Sequence, residues 1–88
     1  MSDGLIRSPA DWAAVFRARI TELELSHLDV DQLAGLPDGY CNKILNSKKR
    51  PGVVTIGRLC DALALAFVPV VDAERAAIIR PQWAKRRK

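Results

Sequence analysis

The run Val30-Asp31-Gln32-Leu33-Ala34-Gly35-Leu36-Pro37-Asp38-Gly39-Tyr40-Cys41-Asn42-Lys43-Ile44-Leu45-Asn46-Ser47-Lys48-Lys49-Arg50-Pro51 holds two short helical patterns, separated by a glycine turn and closed by a basic loop. Just before it, Ser26 followed by Asp29 is the signature of a capped helix start. The first pattern then places Val30, Leu33 and Ala34 on an inner face and stops near Gly35, a residue suited to the left-handed conformation that ends helices. Leu36 follows as an apolar plug. Pro37 and Asp38 open the next helix, expected over 37–46, with Asp38 as its cap. Cys41 and Ile44, with Tyr40 or Leu45, turn inward at helical spacing. Asp38, Gly39, Asn42, Lys43 and Asn46 are left on the outer face, and Lys48 to Gly52 form a basic loop broken by proline and glycine.

Upstream, Ser8-Pro9-Ala10-Asp11 carries the same start signals, and Trp12, Val15, Phe16, Ile20 and Leu23 recur at steps of three and four, which predicts a helix over 9–25. Downstream, Val53, Ile56, Leu59, Cys60 and Leu63 line a fourth helix ending near Ala66. Phe67-Val68-Pro69-Val70-Val71 is β-branched and short, which predicts a strand, and Pro69 confines it to an edge. Such a strand needs a partner, and the same strand of a second copy supplies one. A short capped helix over 72–79 follows, ended by Pro81, and then a basic tail. The expected fold is therefore all-α, a compact bundle of four to five helices with one C-terminal β-strand pairing across a dimer. Its parts are an N-terminal extension (1–8), a helical domain (9–66), a dimerising strand and helix (67–80) and a basic tail (81–88). The dimer contacts fall to Phe67, Val68, Val70, Val71, Ile78 and Ile79.

Composition narrows the function classes. At 88 residues the chain is one small domain, and its 14 Lys plus Arg against 10 Asp plus Glu give a net charge of +4. The charge is segregated. Between Ile20 and Asn42 every charged residue is acidic, whereas the Lys43–Arg50 and Arg80–Lys88 stretches are basic, a pattern that fits a polyanionic partner. No paired carboxylates with a cleft, no nucleophile beside His27 and no glycine-rich phosphate loop point to an enzyme, so none is expected. One histidine and two cysteines are too few for a zinc site, and neither metal nor cofactor is expected. Cys41 and Cys60 sit in apolar patterns and read as small core residues. Without a signal sequence or an apolar span, the expected location is the cytoplasm, with no membrane partner.

Helix, short helix, glycine turn, helix with a polar outer face, basic loop, helix: in this order the chain resembles the Cro and lambda-repressor type, or XRE family, of helix-turn-helix proteins. Gly35, Leu36, Cys41 and Ile44 meet that family's pattern, and the resemblance covers roughly residues 12–66. The sequence departs from it at Asp31, where the family has a small residue, at Ser47, where it often has Gly, and at Leu45, where it often has Glu. The resemblance implies that the third helix enters the major groove of double-stranded DNA. Asp38, Gly39, Asn42, Lys43 and Asn46 would then meet base edges. Gln32, Tyr40, Ser47, Lys48, Lys49 and Arg50 would meet phosphates.

The function so implied is a dimeric, sequence-specific transcriptional regulator, a repressor. Two other classes fit the same pattern. One is an interaction protein such as an antitoxin, which masks a partner protein with its C-terminal segment and regulates its own operon. The other is an architectural protein with little sequence preference. The tail, with Trp83 among Lys85, Arg86, Arg87 and Lys88, reads either as a DNA-tracking arm or as a solubilising end tucked against the dimer.

Overall fold

A computed structural model describes residues 5–87; Met1–Gly4 of the expected extension and Lys88 of the expected tail lie outside the described residues. Five helices follow one another: α1 (Pro9–Glu22), α2 (His27–Ala34), α3 (Tyr40–Leu45), α4 (Val53–Leu63) and α5 (Ala73–Arg86). The all-helical expectation holds, and no strand occurs among the described residues.

The first two helices begin where their sequences say they should. Ser8 and Ser26 each accept a backbone N–H three residues ahead, while Asp11 and Asp29 reach back to bond the cap N–H, two complete capping boxes. Helix ends are equally regular. Glu24, Gly35, Ser47 and Ala64 all take positive φ, between 53° and 68°, just past α1, α2, α3 and α4. At each, the next N–H reaches back to a carbonyl five residues earlier: Leu25 to Ile20, Leu36 to Asp31, Lys48 to Lys43 and Leu65 to Cys60. These are Schellman closures, and three of them use a residue other than glycine. They also correct two lengths. The first helix stops three residues before Leu25 and the fourth three before Ala66, because Glu24 and Ala64 have already left helical geometry.

The core forms where α2 packs on α3 and α4, and α1 on the same two helices. Phe16, Val30, Asp31, Cys41, Leu59 and Leu63 are its most deeply buried side chains. Burial corrects the expected inner face of α2: Val30 and Ala34 point inward as predicted, Leu33 is 62% exposed, and Asp31 takes the inner position. On α4, Leu59 and Leu63 are buried, while Val53 lies outside.

The C-terminal quarter departs most from expectation. The Phe67–Val71 segment is irregular. No other segment among the described residues pairs with it, Pro69 has no N–H to offer a ladder, and Phe67 turns back to stack edge-on against Trp12 at 4.6 Å. Val68, Val70, Val71 and Ile78 are exposed, and Ile79 is half-buried. Beside this segment lies an apolar groove of about 760 Å³, walled by Leu5, Ile6, Trp12, Ile56, Phe67 and Val70, with Arg50 at its margin.

Asp72 caps α5 through the Arg75 N–H and holds Arg7 Nε at 2.6 Å. The helix then runs straight through Pro81 to Arg86 instead of stopping, so the expected tail is largely helical. Pro81 forfeits one helical hydrogen bond, a cost of about 3 kcal/mol in the usual case. Apart from Ala76, α5 buries little, and it makes no helix-to-helix contact comparable with those of α1 to α4. The chain is accordingly extended: its radius of gyration is 16.1 Å, against about 12 Å for a compact chain of this length.

Two outcomes follow from the helix ends. Ala64→Gly relieves left-handed strain and raises stability by up to about 1 kcal/mol, whereas Gly35→Ala lowers it by a similar amount; differential scanning fluorimetry reads both as shifts in Tm of opposite sign. The cap carboxyls set the acid limit. Asp11, held by the Arg7 N–H, Asp29, held by the Ser26 N–H, and Asp72, held by the Arg7 side chain, all titrate below the ordinary 3.8. Depressed folded-state values mean that the unfolded chain binds more protons in this window. Their stabilisation is complete above the unfolded value and is lost as pH falls through the folded ones. Urea midpoints should be level from neutrality down to about pH 5 and fall below pH 4, with Asp29→Asn flattening the fall.

Candidate nucleic-acid interface

Helix α3 is six residues long, too short to persist in water by itself. Its start is Gly39, at φ 86°, which offers no side chain to cap the exposed N–H groups. Asp31 supplies the cap from eight residues upstream. Its Oδ2 accepts the Gly39 N–H at 2.8 Å, and its Oδ1 accepts the Cys41 N–H at 2.8 Å. The backbone carbonyl of the same residue takes the Leu36 N–H. One residue thus ties the end of α2, the turn and the start of α3.

The expected start at Pro37 and the expected cap by Asp38 are corrected accordingly. Residues 37–39 form the turn, Asp38 is exposed in it, and no bond from Asp38 to the helix start is made. Gly39 has open space around its α-carbon, so its role is conformational, a left-handed φ, and not the relief of crowding.

The other end of α3 is held from α1. Arg17 donates to the Leu45 carbonyl at 2.6 Å, one of the acceptors that a helix C-terminus leaves unpaired. Arg19 does the same for Leu63 at the end of α4, and Arg58 for Gly35 at the end of α2. Three arginines therefore act as C-terminal caps, a use that their exposed-looking sequence positions do not announce. Asp31 and Arg17 are the positioning residues that sequence reasoning missed; for Asp31 the signal was its occurrence at a position where the related pattern has a small residue.

The outer face so presented carries Asn42, Lys43 and Asn46, all exposed. Asn46 Nδ2 donates to Asn42 Oδ1 at 3.0 Å, and His27 Nδ1 lies 3.3 Å from the same oxygen, donating to it in the tautomer that carries the proton there. The acceptor of Asn42 is thus engaged. Asn46 keeps its own Oδ1 and one N–H unengaged. Lys49 sits 4.8 Å over the half-buried Tyr40 ring, which fixes an otherwise mobile ammonium beside α3. Ser47, Lys48 and Arg50 continue the exposed surface, and Gln32 is exposed on α2. The expected dimer residues lie on the 67–71 segment and α5, and Phe67, Val68 and Val70 share a groove with Arg50 at the edge of this surface.

Beneath the face, Cys41 is buried, and burial together with the Asp31 charge pushes its thiol up to about 11. It remains a neutral, unreactive core group near neutral pH. Cys60 is raised by burial, and both cysteines are free. Among the described residues no cluster of three or more His, Cys, Asp or Glu side chains is arranged to hold a metal, and no helix is long and apolar enough to cross a membrane.

Comparison with known proteins adds no relative: no family model, no curated protein and no solved structure matches this chain.

The Asp31 clamp has a direct test. Asp31→Ala leaves the Gly39 and Cys41 N–H groups unpaired and should cost about 3 kcal/mol, since a bond to a charged acceptor contributes about 1.5 kcal/mol or more. Asp31→Asn, which keeps one acceptor oxygen, should fall between that variant and the native chain. Hydrogen exchange should show the amides of Gly39 and Cys41 losing protection first. Unchanged exchange at those two amides would remove the clamp from this account.

Proposed function

We propose that the chain is a helix-turn-helix regulator of transcription that binds double-stranded DNA in a sequence-specific manner, as a dimeric repressor of the Cro and lambda-repressor type. Helix α3 enters the major groove, α2 lies across the backbone, and the loop at 48–50 meets phosphates. The observation that carries the reading is the division of labour among the cations around α3. Arg7, Arg17, Arg19 and Arg58 are committed to bonds within the fold, whereas Lys43, Lys48 and Arg50 stand exposed around α3 with no ion-pair partner among the described residues. A polar, amide-bearing helix face bordered by uncommitted cations matches a polyanion with readable edges.

The hydrogen bonds also rank the contacts. A bidentate grip on adenine needs one amide oxygen and one N–H from the same side chain. Asn46 has both unengaged, while the Asn42 oxygen is already shared by Asn46 and His27. Asn46 is therefore the adenine reader, and Asn42 holds it in place. Lys43 reaches a base edge or a flanking phosphate from the next turn, and Gln32, Tyr40, Ser47, Lys48, Lys49 and Arg50 fix the register. Asp38 and Gly39, exposed in the turn before α3, would meet base edges from its N-terminal side.

Dimerisation falls to Val68, Val70 and Val71 with Ile78 and Ile79, and Phe67 supports them from the aromatic cluster. The exposed valines and the groove beside them also favour a second reading, in which a different protein covers this surface and the chain serves as an antitoxin that regulates its own operon. Purification of the native chain together with a neighbour-encoded protein would select that reading.

Fluorescence anisotropy with the DNA upstream of its own gene and with a scrambled duplex, across a salt series, tests the proposal. The native fragment should bind at least about 1,000-fold more tightly than the scrambled one. Asn46→Ala should cost about 1–3 kcal/mol on the native fragment and little on the scrambled one, and Lys48→Gln should weaken both. Val70→Asp should yield monomers with much weaker binding. Equal affinity for both duplexes would replace sequence-specific regulation with an architectural role, and no binding to either would refute the proposal.

A further inference from the structure

The remaining uncommitted cations lie on α5. Arg75, Arg80, Lys85, Arg86 and, at the helix end, Arg87 are all exposed, and none has a side-chain hydrogen bond or ion pair among the described residues. Glu74 is the one acidic residue within the helix. Charge of this kind on a loose terminus is usually a solvated end, but here it is built into 14 residues of helix capped by Asp72 and anchored through Arg7 to the start of α1. A helix fixes the spacing of its charges. From Arg80 to Arg86 it spans about 9 Å at the standard rise, a length over which duplex DNA presents about five phosphate charges on its two strands.

Helix α5 makes no helix-to-helix packing comparable with that among α1 to α4, and the chain measures 49 Å along its long axis, more than the 34–36 Å or so of one DNA turn. The helix carries four of these cations with Arg87 just past its end, buries little beyond Ala76 and gives up a hydrogen bond at Pro81, so among the described residues the Asp72 cap and the Arg7 anchor are its main supports. A polyanion would add another.

We propose that α5, from Arg80 onward, is a second DNA-contacting element: a phosphate clamp that grips the duplex backbone outside the stretch read by α3. This rests on the reading of the chain as a DNA-binding protein. The clamp is indifferent to sequence, because it touches phosphates and sugars only. It therefore adds affinity and salt dependence to every duplex and leaves discrimination to α3.

The test is a quadruple variant, R80Q/K85Q/R86Q/R87Q, which removes charge from exposed positions and keeps the helix-forming stems; circular dichroism should match the native chain. Binding to a mixed-sequence duplex of about four helical turns is measured across a salt series. Each lost phosphate contact lowers the slope of log K against log salt by about 0.9, so two to four engaged cations predict a fall of about 2–4. Affinity at low salt should drop at least tenfold, and the preference for the native fragment over the scrambled one should not change. Asn46→Ala in parallel should show the converse, loss of preference with the slope intact.

A quadruple variant with native slope and native affinity would overturn the clamp and leave the α3 reading standing. A native chain that binds no duplex even at low salt would refute both. If the native chain binds anionic phospholipid vesicles more tightly than the duplex, and the variant loses that binding, α5 is a membrane-surface helix and the clamp is likewise overturned.

Discussion

A helix of six residues makes too few internal hydrogen bonds to offset the entropy of ordering it, so α3 exists because other parts of the chain hold its ends. The decisive hold is the Asp31 carboxylate, fully buried between α2 and α3 with each oxygen taking one backbone N–H of the α3 start. A buried carboxylate is costly unless its charge is met by donors, and here the donors are the very groups that a helix start leaves unpaired. The arrangement is mutually dependent. The carboxylate needs the helix end to be tolerable, and the helix end needs the carboxylate because Gly39 offers no cap. This exchange fixes the angle at which α3 leaves the turn, and with it the placement of every side chain on the outer face.

The same logic recurs at the carbonyl ends. Arg17, Arg19 and Arg58 each bring a guanidinium to the last turn of a different helix, where partial negative charge accumulates. Cross-helix bonds of this kind knit α1 to α3 and α4, and α4 to α2, around a core of few large side chains. In a chain this small, apolar burial leaves a thin margin, and polar bonds at the periphery complement it. No buried side-chain nitrogen or oxygen among the described residues lacks a partner.

This pattern also explains which features could be read from the residues. Capping boxes are local: Ser8 with Asp11 and Ser26 with Asp29 sit three residues apart, and both starts were legible. So was Gly35, whose left-handed φ suits its residue type. The cap of α3 was not, since Asp31 acts across eight residues and the nearer Asp38 has the more familiar spelling. Leu33 misled for a related reason. Hydrophobicity ranks it above Asp31 for the core, yet the helix can turn only one of those neighbours inward, and two N–H groups wait on that side. Glu24 and Ala64 closed helices with residues that carry no such signal, so both ends were placed three residues late. The 67–71 run has β-forming residues but no second segment beside it, and Phe67 gains more from Trp12 and Phe16 than from an edge. Pro81 was expected to stop a helix that in fact runs through it. Of the candidate site, the exposure of Asn42, Asn46 and the basic loop was legible from spacing alone, while the arginines that close helix ends were not.

Those bonds also sort the cations by how far their donors are engaged. Counted from sequence, positive charge is present on α1 and α4 as well as on the loop and the C-terminal end. Once Arg7 and Arg19 are set against carboxylates, and Arg17 and Arg58 against carbonyls, the uncommitted cations fall into two groups, one around α3 and one on α5. Net charge of +4 would give only weak, diffuse attraction if it were spread evenly. Concentrated around α3 and on α5, the exposed cations instead make the surface potential uneven, with two positive regions on one elongated chain. The hydrogen bonds that stabilise the fold thus also decide which cations keep all their donors: Arg17 and Arg58 retain their charge, but part of each guanidinium is taken up by a helix-end carbonyl.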